Sequence, residues 1–354
     1  MYGPAEIAKR YSEAGAAKTR LAMPKAIILS TFAGMFIAFG AFGSQVVGLN
    51  GGSDPLAKLA GAVVFPVGLL MVLMAGAELF TGNSLIIISV LDRKATVKGM
   101  LRNWVIVYIG NFVGSIFVAV MLTYSHAYSL FGGQLAESVV ATAQNKVLLS
   151  FSDALLRGIL CNILVCIAVW ISFSAEDVAG KILGLYLPIM LFVASGYEHS
   201  VANMYFIPAG IFASTEYGIE ANAALTWQGF LVHNLLPVTI GNVIGGVCVV
   251  GLGYFFAYLH RTEASKAASA SKAAPAPRAE EKRLIDLAAP QNVAGLDVYS
   301  PNAAPLAEFS PYAPEAHEDD SHAIDIALNG AKIHVGNDAE PVLLAQTIRL
   351  IKGL

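Results

Sequence analysis

GAELFTGN at residues 76–83 and GYEHSVAN at residues 196–203 share the pattern G-x-E-x4-N. Each is followed by a second shared pattern, N-x6-G-N-x2-G, at Asn103, Gly110, Asn111 and Gly114 and again at Asn234, Gly241, Asn242 and Gly245. Seven identities in the same order point to a duplicated unit. Both stretches sit inside apolar runs, so Glu78, Thr81, Asn83, Glu198, His199 and Asn203 stand among Leu, Ile, Val and Phe neighbours. Polar groups at such positions are costly unless something satisfies them.

The wider composition says what the surroundings are. Of 354 residues, 56% are hydrophobic and 13% are charged, against about 25% charged in an ordinary soluble domain. This is the composition of a membrane protein. Six segments approach or exceed the roughly 20 apolar residues needed to cross a hydrocarbon core: 25–49, 59–91, 99–124, 147–173, 179–212 and 229–259. The second and fifth are longer than one crossing needs and carry the polar octets, so both are predicted to be broken. Flanking cations set the orientation. Lys9, Arg10, Lys18, Arg20, Lys25, Arg93, Lys94, Lys98, Arg102 and Lys181 fall on one side, while Lys58 and Lys146 are the cations of the opposite loops. Both termini are therefore expected in the cytoplasm. Residues 1–24 read as a cytoplasmic amphipathic helix without the features of a secretory signal.

Three spans per copy is an odd number, so the second copy enters the membrane from the opposite side. The fold expected is an all-α membrane protein with six spans, two of them broken, in an inverted three-plus-three repeat. Irregular backbone at that depth is tolerated where protein or an aqueous cavity satisfies it. An intramembrane ionisable residue, costing on the order of 2.5 to 3.5 kcal/mol when charged, is a functional candidate by default, which singles out His199. Glu78 and Glu198 occur in both copies and are expected to be structural, accepting hydrogen bonds from backbone freed at each break. Asn83, Asn103, Asn111, Asn203, Asn234 and Asn242 read as interhelical hydrogen-bonding or capping groups. For Thr81 a bond to its own helix and a place in the pathway stand level, and Lys146 either snorkels or draws anions inward. Cys161, Cys166 and Cys248 lie in apolar runs and read as small buried residues. No metal-ligand, nucleotide-binding or catalytic motif is present, so no cofactor, nucleic acid or enzymatic activity is expected.

AELFTGN (77–83), LCNILVCIAVWIS (160–172), SGYEHSVANMYFIP (195–208) and NLLPVTIGNVIGG (234–246) resemble the signature segments of formate/nitrite transporters, over about residues 1–260. The resemblance implies a homopentamer whose protomers each enclose a pore in an aquaporin-like arrangement of helices. Carried over by position, it implies that His199 is the central histidine and Thr81 the threonine of the broken second span. Asn162 becomes the pore-facing asparagine of span 4 and Lys146 the vestibule lysine. It assigns hydrophobic constrictions to Phe65 and Leu79 on one side of the histidine and Phe192 on the other.

The function expected is a channel or proton-coupled transporter for small monovalent anions, formate first, in the inner membrane. Burial disfavours the charged form of an acid, so the solute would pass as the neutral acid. Nitrite, hydrosulfide, acetate or lactate transport by the same pore, an uncoupled neutral-solute channel, and an anchored interaction protein acting through its tail are the alternatives. Residues 263–320 read as an Ala/Pro/Ser-rich disordered linker. Residues 321–354 read as strand, Asn-Gly turn, strand and a short helix, weakly similar to small accessory proteins of insertion sequences and expected to be dispensable for transport.

Overall fold

The computed structural model describes residues 1–49, 51, 53–260, 324–328 and 331–335. The chain separates into one unit over Met1–Ala274 and a second over Pro275–Leu354. In the first, α1 (Pro4–Thr19) precedes α2 (Met23–Val47), α3 (Pro55–Val64), α4 (Pro66–Met74), α5 (Gly82–Leu91) and α6 (Val97–Tyr124). There follow α7 (Gln134–Val147), α8 (Phe151–Ser172), α9 (Val178–Ala194), α10 (Ser200–Glu216) and α11 (Gly229–Tyr258). Among the described residues, five stretches are long and apolar enough to cross a membrane: α2, the α3–α4 pair, α6, α8 and α11. Outer helix faces are apolar as well. Val105, Ile109, Val113, Phe117 and Met121 form an exposed stripe on α6, and Leu183, Leu187 and Leu191 form one on α9. Such faces suit hydrocarbon and would be anomalous against water.

The long second and fifth segments are each interrupted. Helix α4 stops at Met74 and helix resumes at Gly82, while α9 stops at Ala194 and α10 begins at Ser200. The same device ends both first halves: Gly76 and Gly196 take left-handed φ of 78° and 69°. The next amide folds back, Ala77 N–H to Val72 O at 2.8 Å and Tyr197 N–H to Phe192 O at 3.1 Å, which is a glycine-terminated helix end of the Schellman type. A separate bend at Pro66 divides α3 from α4, because proline lacks the N–H that would continue the ladder.

Helix α2 packs along α6, and α8 packs along α11. The N-x6-G-N-x2-G glycines make these approaches close: a Cβ on Gly114 would fall 2.0 Å from Thr31 O and one on Gly241 would fall 2.2 Å from Leu155 O. Helix α11 carries π-helical stretches at Gly229–Leu235 and Ile244–Gly251, a distortion often found at functional sites. Helix α1 lays Ile7, Ala8, Tyr11 and Gly15 against the bundle, with the Tyr11 hydroxyl donating to Gly82 O at 3.0 Å. Burial raises the Tyr11 phenol well above its ordinary pKa, so it remains a donor.

The second unit contains an antiparallel pair, β1 (Ile324–Leu328) and β2 (Ala331–Val335), with Leu328 opposite Ala331. The linker expected over 263–320, the Asn329-Gly330 turn and the helix expected after Pro341 lie outside the described residues.

Candidate functional site

Each break leaves backbone groups without helical partners, and buried backbone polar groups need them. An asparagine from a neighbouring helix serves both an N–H and a C=O in each gap. Asn111 accepts from Phe80 N–H at 2.9 Å and donates to Ser30 O and Glu78 O. Asn242 accepts from Ser200 N–H at 2.9 Å and donates to Gly158 O and Glu198 O. Glu78 N–H and Glu198 N–H bond to Leu29 O and Arg157 O, at 3.2 and 3.3 Å. The carboxylates were expected to hold freed backbone, and that expectation is corrected here. A carboxylate only accepts, whereas a gap exposing both N–H and C=O needs the two-sided amide of asparagine.

The carboxylates instead hold lysine and asparagine side chains. Glu78 receives Lys18 Nζ at 2.7 Å and Asn83 Nδ2 at 2.8 Å, and Asn83 also donates to Asn103 Oδ1. Glu198 receives Lys146 Nζ at 2.8 Å and Asn203 Nδ2 at 2.6 Å, and Asn203 also donates to Asn234 Oδ1. Asn103 and Asn234 close the rings by donating to Lys18 O and Lys146 O. Lys18 is thus the counterpart of Lys146, a role that its use as a topology marker concealed. One signal was available: Lys18 and Ser30 stand as far apart in the chain as Lys146 and Gly158 do.

His199 and Thr81 meet between the two breaks. His199 Nε2 lies 2.8 Å from Thr81 Oγ1, and both residues are buried. The ring is held at its other nitrogen, where Nδ1 accepts from Ala202 N–H at 3.0 Å in an N-cap of α10. An accepting Nδ1 carries no proton, so the neutral ring is the Nε2–H tautomer. Asn162 donates to Thr81 O at 3.3 Å, Ser84 Oγ at 3.3 Å and Asn242 O at 2.6 Å, which ties α8 to the first break and to α11; its Oδ1 has no protein partner.

The aromatic arrangement departs from the expected bracketing. Phe192 stacks on His199 with ring centroids 5.9 Å apart, and Phe65 meets Phe192 edge to face at 5.4 Å. Phe65 therefore belongs with Phe192 and not with Leu79. The nine residues of α4 separate Phe65 from the first break, a rise of about 13 Å.

Two cavities adjoin this arrangement, one reaching Leu79 and Gly82 beside Thr81 and the other Glu198 beside His199. One, of about 430 Å³, is lined by Lys18, Leu69, Glu78 and Leu79 among others; the second, of about 350 Å³, by Gln45, Lys146, Val193, Glu198 and Phe206 among others. The first carries cations Arg10, Lys18 and Lys181 against Glu78, and the second Lys58, Lys146 and Arg157 against Glu198. Both are positive, and a positive concave surface concentrates anions. Arg157 was hidden in the sequence by its position inside an apolar span, as was Gln45. Among the described residues, no group of three His, Cys, Asp or Glu side chains is arranged to hold a metal ion.

The family model described as "Formate/nitrite transporter" matches residues 5–256. The chain belongs to the formate/nitrite transporter family. It is 45% identical over 267 residues to the uncharacterized transporter YrhG of Bacillus subtilis, covering 74% of this chain and 96% of that one. It is 39% identical over 273 residues to the formate channel FocA of Escherichia coli K12, covering 73% and 95%. A solved pentameric formate channel with formate bound superimposes with a TM-score of 0.59 at 36% identity, covering 67% of this chain and 98% of that one. A solved ion channel of the family superimposes with a TM-score of 0.63 at 31% identity, covering 71% and 98%. The protein is thus an integral membrane protein of a family of transporters and channels, not of enzymes.

Proposed function

We propose that this family member passes small monovalent anions, formate first, across the inner membrane as the neutral acid, through a pore centred on His199. The observation that carries this reading is the buried His199–Thr81 pair lying between two cavities that are each lined by three cations and one carboxylate. The names of the similar FocA channel and of the solved pentamer with formate bound support the substrate and a homopentameric assembly. The matching hydrogen-bond rings around Glu78 and Glu198 support six crossings in an inverted three-plus-three repeat with an aquaporin-like arrangement. The cation distribution supports cytoplasmic termini, with the α1-side cavity facing inward. Residues 25–262 form the transporter domain, α1 lies on its cytoplasmic face, and residues 263–354 stand apart from transport.

The positive cavities gather the anion and strip part of its water. Lower polarity then disfavours the charged form, so the carboxylate takes a proton from solvent. The neutral acid crosses Phe65, Phe192 and Leu79, where a bare anion would meet a large desolvation penalty. The Nε2–H of neutral His199 donates a hydrogen bond to its oxygen on the way, and the acid releases its proton in the far cavity. One proton thus moves with each anion. Nitrite, hydrosulfide and lactate fit the same scheme. An uncoupled neutral-solute channel does not, because it moves no proton.

The test is reconstitution in liposomes holding a pH-sensitive dye, with formate and then nitrite added outside. Acidification that requires the protein and drops with His199→Phe is the expected result. Uptake of labelled formate without any pH change would replace this reading by passage of the bare anion.

A further inference from the structure

We infer that Gln45 is a solute-binding residue in the α7-side cavity, where its side-chain amide and the Lys146 ammonium together hold a small anion with two oxygens, a carboxylate or nitrite. The inference deepens the transport reading and rests on it. Gln45 lies near the end of α2, is 7% exposed and lines the cavity that Lys146 also lines. A glutamine buried to this degree is expected to satisfy both ends of its amide. Its oxygen is satisfied: the Tyr205 hydroxyl donates to Oε1 at 3.1 Å. Its nitrogen is not, since Nε2 has no protein partner.

The tyrosine bond also sets which end of the amide is offered. Tyr205 and Tyr128 are fully buried, and their hydroxyls lie 3.1 Å apart. Tyr205 has one proton and gives it to Gln45 Oε1, so Tyr128 supplies the proton between the two tyrosines. This chain fixes Oε1 toward the tyrosines and leaves the two N–H donors of Nε2 without a protein acceptor, on a residue that lines the cavity. Lys146 Nζ spends one contact on Glu198 Oε1 and has three N–H donors. Two donor groups lining one cavity suit an anion that presents two oxygens in one plane. Sulfur is a weak acceptor, so hydrosulfide gains little from the amide. Gln45 is thereby a selectivity residue favouring two-oxygen anions, and Tyr205 is the residue that positions it.

The test compares the unaltered full chain with Gln45→Met, which keeps side-chain length without a donor, and with Tyr205→Phe. Formate binding to the purified protein is measured by titration calorimetry, and formate and hydrosulfide uptake are measured in liposomes. A hydrogen bond to a charged group predicts about tenfold weaker formate binding for Gln45→Met, unchanged hydrosulfide uptake, and a smaller loss in the same direction for Tyr205→Phe. Equal formate binding by Gln45→Met and the unaltered protein would overturn the inference. Equal loss of formate and hydrosulfide uptake would overturn it too, as the mark of a packing role. Gln45→Glu, nearly identical in shape, guards against misfolding: it should bind formate more weakly still, and binding as tight as the unaltered protein's counts against the inference. Formate binding without formate uptake by the unaltered protein would sink the transport reading alone.

Discussion

At the scale of single residues, the Lys146–Glu198 and Lys18–Glu78 pairs are the places where a small change has a large effect. Removing one partner of a buried ion pair leaves the other charge uncompensated, at about 3–5 kcal/mol, whereas replacing both by apolar groups is often neutral. The Lys146 side chain is 15% exposed and that of Glu198 is 5% exposed, so this argument applies with little screening. Glu198→Gln and Lys146→Met are each expected to lower the unfolding temperature of the purified protein markedly, and the double variant to recover most of the loss. Additive losses would show that the two side chains act independently. Thr81→Val tests a different property. It keeps the shape and removes the hydroxyl that lies 2.8 Å from His199 Nε2, so formate uptake should fall, with a stability loss of about 1–3 kcal/mol where no water replaces the hydroxyl. His199 stood out as an ionisable side chain in an apolar run, whereas Thr81, Asn162 and Lys146 were singled out by the family resemblance. Lys18 was not, because a lysine in a polar arm looks like any other. Gln45 and Arg157 were missed because each stands alone, outside the repeated octets.

At the scale of elements, the two breaks depend on a left-handed glycine and a two-sided asparagine. A Cβ at Gly76 would meet nothing within 4 Å, so Gly76→Ala isolates the conformational strain of φ 78°, about 1–2 kcal/mol. Asn242→Ala removes bonds to Ser200 N, Gly158 O and Glu198 O together and leaves buried backbone groups unpaired, at about 1–3 kcal/mol for each group that finds no water. Asn242→Ala should therefore lower the melting temperature more than Gly76→Ala does, and the reverse order would mean that glycine geometry, not the asparagine, maintains the gap. The breaks were readable from segment length and from the octets. Which group satisfies the freed backbone was not, because it depends on a residue some thirty to forty positions downstream brought alongside by helix packing. The bend at Pro66 was visible as a proline, but the meeting of Phe65 with Phe192 required the three-dimensional course of α4.

At the scale of the molecule, two positive cavities and a neutral, apolar waist make opposite demands on the solute: the cavities favour the anion and the waist favours its acid. In the proposed mechanism a solute satisfies both by changing protonation on the way. Far above its pKa, an acid's neutral fraction rises about tenfold for each unit by which the pH falls. Formate uptake at fixed total formate should therefore rise as external pH falls. A rate independent of pH would mean that the anion crosses unprotonated. The same division into cavities and waist assigns a place to the rest of the chain. Every hydrogen bond described around the breaks, the histidine and the cavities comes from residues before 261, and the family match ends at residue 256. The pair β1–β2 belongs to the second unit. A chain ending at residue 262 retains α11 to its last turn and keeps all the groups named in the mechanism. Its initial rate of formate uptake per folded protein in liposomes should equal that of the full chain. Loss of uptake by a truncated protein that still melts at the same temperature would place part of the transport function in the tail.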